Sequence, residues 1–230
     1  MRGLVVSPKT FSRHMWAMRM LGYQGLSMSE LEPYLRDEKQ GKVFGITFDD
    51  GYANNLHHAL PVLQRYGFTS TCYVVADLVG QYNRWDDGRG VPRSPLMTAE
   101  ELQKWVDGKQ EVGSHTLTHV FLSELDPAQQ WEEIAQSRRG LEACVRQAQG
   151  VRHFCYPYGS MNQTSVDCVR RADYATATTT VRGRVSHYGS GLALPRVLVS
   201  RTTTWMQLLV KCLTRYEDRR GIDKLPTTYV

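Results

Sequence analysis

The sequence has no apolar run approaching the ~20 residues that span a bilayer. Its opening stretch, Met1-Arg2-Gly3-Leu4-Val5-Val6-Ser7-Pro8, has no apolar core of the secretory kind. These two absences predict a cytoplasmic protein with no membrane span. Cysteine is scarce, and Cys72, Cys144, Cys155, Cys168 and Cys212 are odd in number and share no close spacing, which argues against a disulfide framework and for free thiols. No repeat or low-complexity tract is present. The formal net charge of +5 comes from basic residues scattered along the chain, which predicts a solvated face and no nucleic-acid partner.

What is present is ordinary globular composition, 41% hydrophobic and 22% charged, in 230 residues, which suits one α/β domain and excludes disorder, collagen and coiled coil. Residues 8–21 read as a helix opening at Ser7-Pro8, with Phe11, Met15, Met18 and Leu21 inward, and residues 27–36 as a second. Strands are predicted near 43–48, 69–75, just before His115, and at 151–156, 175–178 and 194–199. Helices are predicted at 53–66, 98–107, 126–149, 162–171 and 205–216. Residues 81–96 form a Gly-, Pro- and charge-rich loop. Strand and helix alternate, so a parallel sheet follows.

The chemistry concentrates at three places. Val43-Phe44-Gly45-Ile46-Thr47-Phe48 is an apolar strand that ends in Asp49-Asp50-Gly51, where one acid can hold a metal while its neighbour handles protons. His115 and His119, four apart, are spaced for one side of a helical turn and suit a divalent metal. Phe154-Cys155-Tyr156-Pro157-Tyr158-Gly159 ends another apolar run in a rigid turn. His57 and His58 read as surface residues, and Trp85 as either a sugar-stacking or a packing residue.

Together, Thr47-Phe48-Asp49-Asp50-Gly51, Ser114-His115-Thr116-Leu117-Thr118-His119 and Tyr156-Pro157-Tyr158-Gly159 resemble the polysaccharide deacetylase (NodB-homology) family of carbohydrate esterases. Ala59-Leu60-Pro61-Val62-Leu63 and Leu194-Pro195-Arg196-Val197 look like its poly-N-acetylglucosamine branch. The resemblance implies a single-domain, distorted (β/α)7 barrel over residues 43–216, with a helical segment at 1–42 packed on it and a tail at 217–230. It also implies an N-deacetylase acting on an amino-sugar residue of a polysaccharide, lipid-linked saccharide or nucleotide sugar.

By the same resemblance, Asp50, His115 and His119 hold one divalent metal and Asp49 is the general base for the attacking water. The Tyr158 backbone N–H would help hold the oxyanion, and Trp85, Tyr156 and Pro157 would line the saccharide. Two imidazoles and one carboxylate favour Zn²⁺, with Co²⁺ or Ni²⁺ able to substitute. There are departures from the family pattern. Cys155 stands where many members carry an arginine, a charge that Arg196 is expected to supply from another strand. The late Leu-x-His motif of the acid histidine is absent, which leaves His187 as the favoured substitute over His153 and His14. The rival readings are a glycan-binding pseudoenzyme with a vestigial metal site and a hydrolase of a non-sugar amide. Oligomeric state is not legible.

Overall fold

In the computed structural model, which describes residues 5–185 and 189–221, helices begin where a short polar side chain can accept the orphan N–H groups of a first turn. Ser7 caps α1 (Pro8–Met20), accepting from the Thr10 N–H at 3.2 Å, and Pro8 takes the first position, where no donor is lost. Strand β1 (Gln24–Leu26) follows, then α2 (Met28–Leu35), capped by Ser27. The predicted Asp-Asp-Gly strand is interrupted into β2 (Val43–Gly45) and β3 (Thr47–Phe48). A π-helical turn at Asn55–Ala59 precedes α3 (Leu60–Tyr66). The helix expected over 53–66 widens there because Pro61 has no N–H to give to the ladder.

Next come β4 (Thr71–Val74), α4 (Ala99–Asp107) and β5 (Glu111–Ser114). The predicted capping box of α4 is present, Thr98 and Glu101 each accepting the other's backbone N–H. Helix α5 (Pro127–Cys144) stops five residues short of the expected end at Gln149. Val145 turns extended, and the Gln147 side chain then bonds both the N–H (2.8 Å) and the C=O (3.1 Å) of Val112, so tertiary pairing with β5 overrides helix propagation.

The chain closes with β6 (His153–Cys155), α6 (Gln163–Arg171), β7 (Thr176–Arg182), β8 (Leu194–Arg196), α7 (Trp205–Leu213) and α8 (Asp218–Gly221). The expected irregular tail therefore starts ordered. Glu217 is fully buried, and its carboxylate receives Arg182 at 2.8 Å and Lys211 at 3.0 Å.

Every strand pair is parallel, in the order β3-β4-β5-β6-β7-β8, and β1-β2 continue the sheet across Ile46, whose N–H donates to the Leu26 carbonyl and whose carbonyl accepts the Thr71 N–H. With β2 and β3 counted as one interrupted strand, seven parallel strands follow one another among the described residues. This is a distorted (β/α)7 barrel in a single domain. Strand β1 lies between the two helices expected at 8–21 and 27–36, inside the segment 1–42 read as helical overall; at three residues it is too short to show a period. All residues of β4, β5 and β6 are buried, as strands covered on both faces must be. Gly113 is required in β5, since a Cβ there would stand 2.6 Å from the Tyr73 ring and 2.9 Å from the His153 carbonyl oxygen. All five cysteines are free, and among the described residues no helix is long and apolar enough to cross a membrane.

Candidate active site

The C-terminal ends of the strands converge on one cluster. Asp49 and Asp50 leave β3 in a sharp turn in which Asp50 (φ 74°) and Gly51 (φ 80°) both adopt left-handed backbone. Residues 80–97 are not a free loop. They are stitched over this turn by the Met97 N–H to the Gly51 carbonyl (2.9 Å) and the Ala53 N–H to that of Pro95 (3.0 Å).

His115 and His119 do not share a helical turn, as their spacing suggested. Residues 115–119 form a loop after β5, with Thr116 (φ 66°) and His119 (φ 64°) left-handed. Its shape is held from three sides. The Thr116 hydroxyl accepts the His119 N–H at 3.0 Å, and Glu133 of α5 accepts the N–H groups of Leu117 and Thr118 at 2.9 and 3.0 Å. The carbonyls of Thr116 and Leu117 receive Ala76 and Asp77. Left-handed non-glycine residues cost about 1 kcal/mol or more each and persist where their surroundings over-determine them. Here they aim both imidazoles at one carboxylate.

Asp50 Oδ1 lies 3.5 Å from His115 Nε2 and 3.2 Å from His119 Nε2. His115 Nδ1 is 2.7 Å from the Cys155 carbonyl oxygen. A carbonyl only accepts, so Nδ1 carries a proton, and Nε2, whose own proton a bound cation would displace, faces the cluster. The ligand atoms of Asp50, His115 and His119 all lie within 4.8 Å of one another. That spacing and donor set fit one divalent cation held by two imidazoles and a carboxylate.

The electrostatics agree. Burial alone would raise the Asp50 carboxyl, but its bonds to the two histidines hold it far below the ordinary carboxylate value. Burial lowers His119, whereas at His115 the same burial is outweighed by Cys155, Asp50 and Asp49, which raise it well above its usual value. The pocket therefore attracts positive charge at its centre.

Asp49, expected to be the base, is gripped by Arg196 from the end of β8 through bonds of 2.7 and 2.9 Å, one to each carboxylate oxygen. Arg196 is held in turn by the Thr179 carbonyl (2.8 Å), the Thr47 hydroxyl (3.3 Å) and Cys155 Sγ (3.3 Å). Burial would raise Asp49, but the guanidinium charge and its bonds outweigh this, so the carboxylate stays ionised. Cys155 also stands with Asp49 and His115 in a second set of clustered donors that shares His115 with the first.

Aromatic rings form the rim. Trp85 stacks on His119 (4.4 Å between centroids, 24° between planes), and Tyr158 meets the same imidazole edge-on at 4.6 Å. Tyr158 is itself left-handed (φ 58°) and stacks on Phe121 at 4.0 Å. Its hydroxyl accepts from Arg89 at 3.3 Å. Two side chains expected to line a saccharide do not. Tyr156 is fully buried, packs on Phe154 and donates its hydroxyl to the Leu192 carbonyl, and Pro157 is buried beside it. β6 ends at Cys155, and the 3₁₀ turn Pro157–Gly159, bent at the left-handed Tyr158, leaves Tyr156 in the core and carries Tyr158 out to the cluster. His187 lies outside the described residues. Phe121, Glu133 and Arg89 went unread in the sequence, because each is brought in from a separate element with no motif of its own.

A parallel barrel with carboxylates, imidazoles and an aromatic rim at its C-terminal strand ends carries this cluster where barrel enzymes build their active sites. The chain belongs to the polysaccharide deacetylase family, whose sequence profile matches residues 36–177. A Bacillus subtilis (strain 168) protein named as a candidate polysaccharide deacetylase, YxkH, is 30% identical over 199 residues, 86% of this chain and 66% of that one. The chain thus spans just under two thirds of this relative's length. Among solved structures, the Streptococcus pyogenes deacetylase PplD, in complex with acetate, superposes with a TM-score of 0.78 at 25% identity, covering 90% of this chain and 88% of that one. IcaB from Ammonifex degensii gives 0.74 at 26%, covering 89% and 88%.

Proposed function

We propose that this protein is a metal-dependent N-deacetylase that hydrolyses the acetamido group of an N-acetylated saccharide. The observation that carries the reading is the pairing of two functions within one pocket: the three-ligand cluster of Asp50, His115 and His119, and beside it a second carboxylate, Asp49, held by Arg196 instead. Asp50, His115 and His119 would hold the cation, with Zn²⁺ the metal this donor set favours. When bound, such an ion supplies Lewis acidity toward a water nucleophile and the acetyl carbonyl.

The chain's own groups do the rest. Asp49 receives the proton of the attacking water, and Arg196 fixes the direction of its oxygens. The Tyr158 backbone N–H, turned by its left-handed φ, donates to the oxygen that becomes negative as the carbonyl is attacked. Trp85 forms one wall of the saccharide site. His187 is proposed as the proton donor to the departing amine, a role that a lost alkaline limb in the pH-rate profile of His187→Ala would support and an unchanged limb would exclude.

Free-amine and acetate release from N-acetylglucosamine oligomers, measured beside elemental analysis, tests the reading. One equivalent of metal is expected in the wild type and none in His115→Ala, with release lost alongside it. Full occupancy in that variant would exclude the ligand assignment. A second reading, a glycan-binding protein without turnover, is favoured by the placement of the other histidines. His14 bonds the Thr203 carbonyl, and His153 sits in a buried network with Ser29 and Glu111 at the N-terminal strand ends. Saccharide binding without amine release would decide for it.

A further inference from the structure

The acidic residues are unevenly distributed. Residues 1–29 and 174–216 contain no Asp or Glu, while they carry Lys9, Arg13, Arg19, Arg201, Lys211 and Arg215 among other basic residues. The fold brings these two stretches together. Helices α1 and α7 pack side by side, with the Trp16 and Trp205 rings 6.1 Å apart and His14 Nε2 2.8 Å from the Thr203 carbonyl oxygen.

Their outward faces mix cationic and apolar side chains. Lys9, Arg13, Trp16 and Met20 recur at helical spacing along the exposed stripe of α1, and Met206, Val210 and Leu213 along that of α7. Met20 is 67% exposed, Met206 58% and Trp16 46%, high values for side chains of this kind on neighbouring helices. The acids that follow α7 are paired: Glu217 with Arg182 and Lys211, and Asp218 with Arg184 at 2.7 Å. Tryptophan and methionine are thus set beside Lys9 and Arg13, which form no ion pair among the described residues.

We propose that the α1–α7 face seats the protein on an anionic lipid surface. Charge decides among occupants. A second copy meeting this face through its own would set Lys9 and Arg13 against like charges, whereas acidic headgroups oppose them and the bilayer boundary receives the methionine and tryptophan side chains. The helices, of 13 and 9 residues, are too short to span and have the barrel behind them, so the contact is interfacial.

The test is flotation of the intact chain with phosphatidylcholine vesicles with and without phosphatidylglycerol, at low and high salt. Binding is expected only with the anionic lipid and is expected to fall as salt rises. Lys9→Glu/Arg13→Glu should lower the partition coefficient by roughly tenfold or more. Met20→Ser/Met206→Ser should lower it several-fold. All four substituted side chains are exposed, so melting curves should match the wild type. No binding at low salt, equal binding to neutral vesicles, or unaffected variants would overturn the proposal. So would a concentration-dependent dimer, seen by sedimentation, that the same substitutions abolish.

Discussion

Arg196 and Asp49, 147 residues apart in sequence, form a two-pronged ion pair in which each carboxylate oxygen meets its own guanidinium nitrogen, at 2.7 and 2.9 Å. The pair keeps the carboxylate ionised in a place where burial would protonate it. It also separates Asp49 from its neighbour Asp50, whose partners are histidines.

Asp49→Asn should retain one equivalent of metal while amine release falls about 10²- to 10⁴-fold, because the amide keeps the shape and removes the base. Elemental analysis and a rate assay on the same preparation read both quantities. A variant as active as the wild type would remove Asp49 from the chemistry.

Arg196→Met should move the acid limb of the pH-rate profile to higher pH. With the guanidinium present, Asp49 lies below its ordinary value and is ionised down to acid pH; without it, burial dominates and the carboxyl ionises only as pH rises. Arg196→Lys should shift the limb less, since the charge stays and the two-pronged geometry is lost. A limb that does not move would show that Asp49 does not set it.

Trp85→Leu should weaken metal binding about tenfold or more, as loss of a group that orients a ligand commonly does. Trp85 and Tyr158 flank His119, and His119 Nδ1 is buried with no protein partner among the described residues, so ring contacts take the place of the usual orienting hydrogen bond. Competition with a chelating dye measures the affinity. A change confined to KM for the saccharide would instead make Trp85 a substrate contact alone.

Glu217→Ala should destabilise the fold by about 2 kcal/mol at neutral pH, less than breaking a fully buried pair costs, because Arg182 and Lys211 are partly exposed. Burial opposes ionisation of Glu217, but its bonds to Arg182 and Lys211 prevail and lower its pKa. The stabilisation is therefore present above the unfolded value, near 4.3, and lost as pH falls through the folded one. Denaturation curves of wild type and variant should converge in acid. A constant gap at all pH values would contradict the assignment.

The sequence alone determined the chemistry that is local. Asp49-Asp50-Gly51, the His115–His119 pair and the turn after Cys155 are contiguous, and helix starts at Ser7-Pro8, Thr98 and Asp126 follow from caps that act within one turn. The alternation of strand and helix gave the α/β class because periodicity reports burial directly.

Tertiary structure decided what depends on residues far apart. It ended α5 at Cys144 so that Gln147 could pair with β5, turned Tyr156 inward and laid Trp85 on a histidine. It bent the His115–His119 loop through left-handed conformations, where spacing alone suggested a helix. Arg196 was legible only through family resemblance, because nothing within its own stretch encodes a partner on another strand. The reason is the same in each case: a side chain's periodicity and caps are set by its near neighbours, whereas its partner across the barrel is set by the sum of all the packing between them.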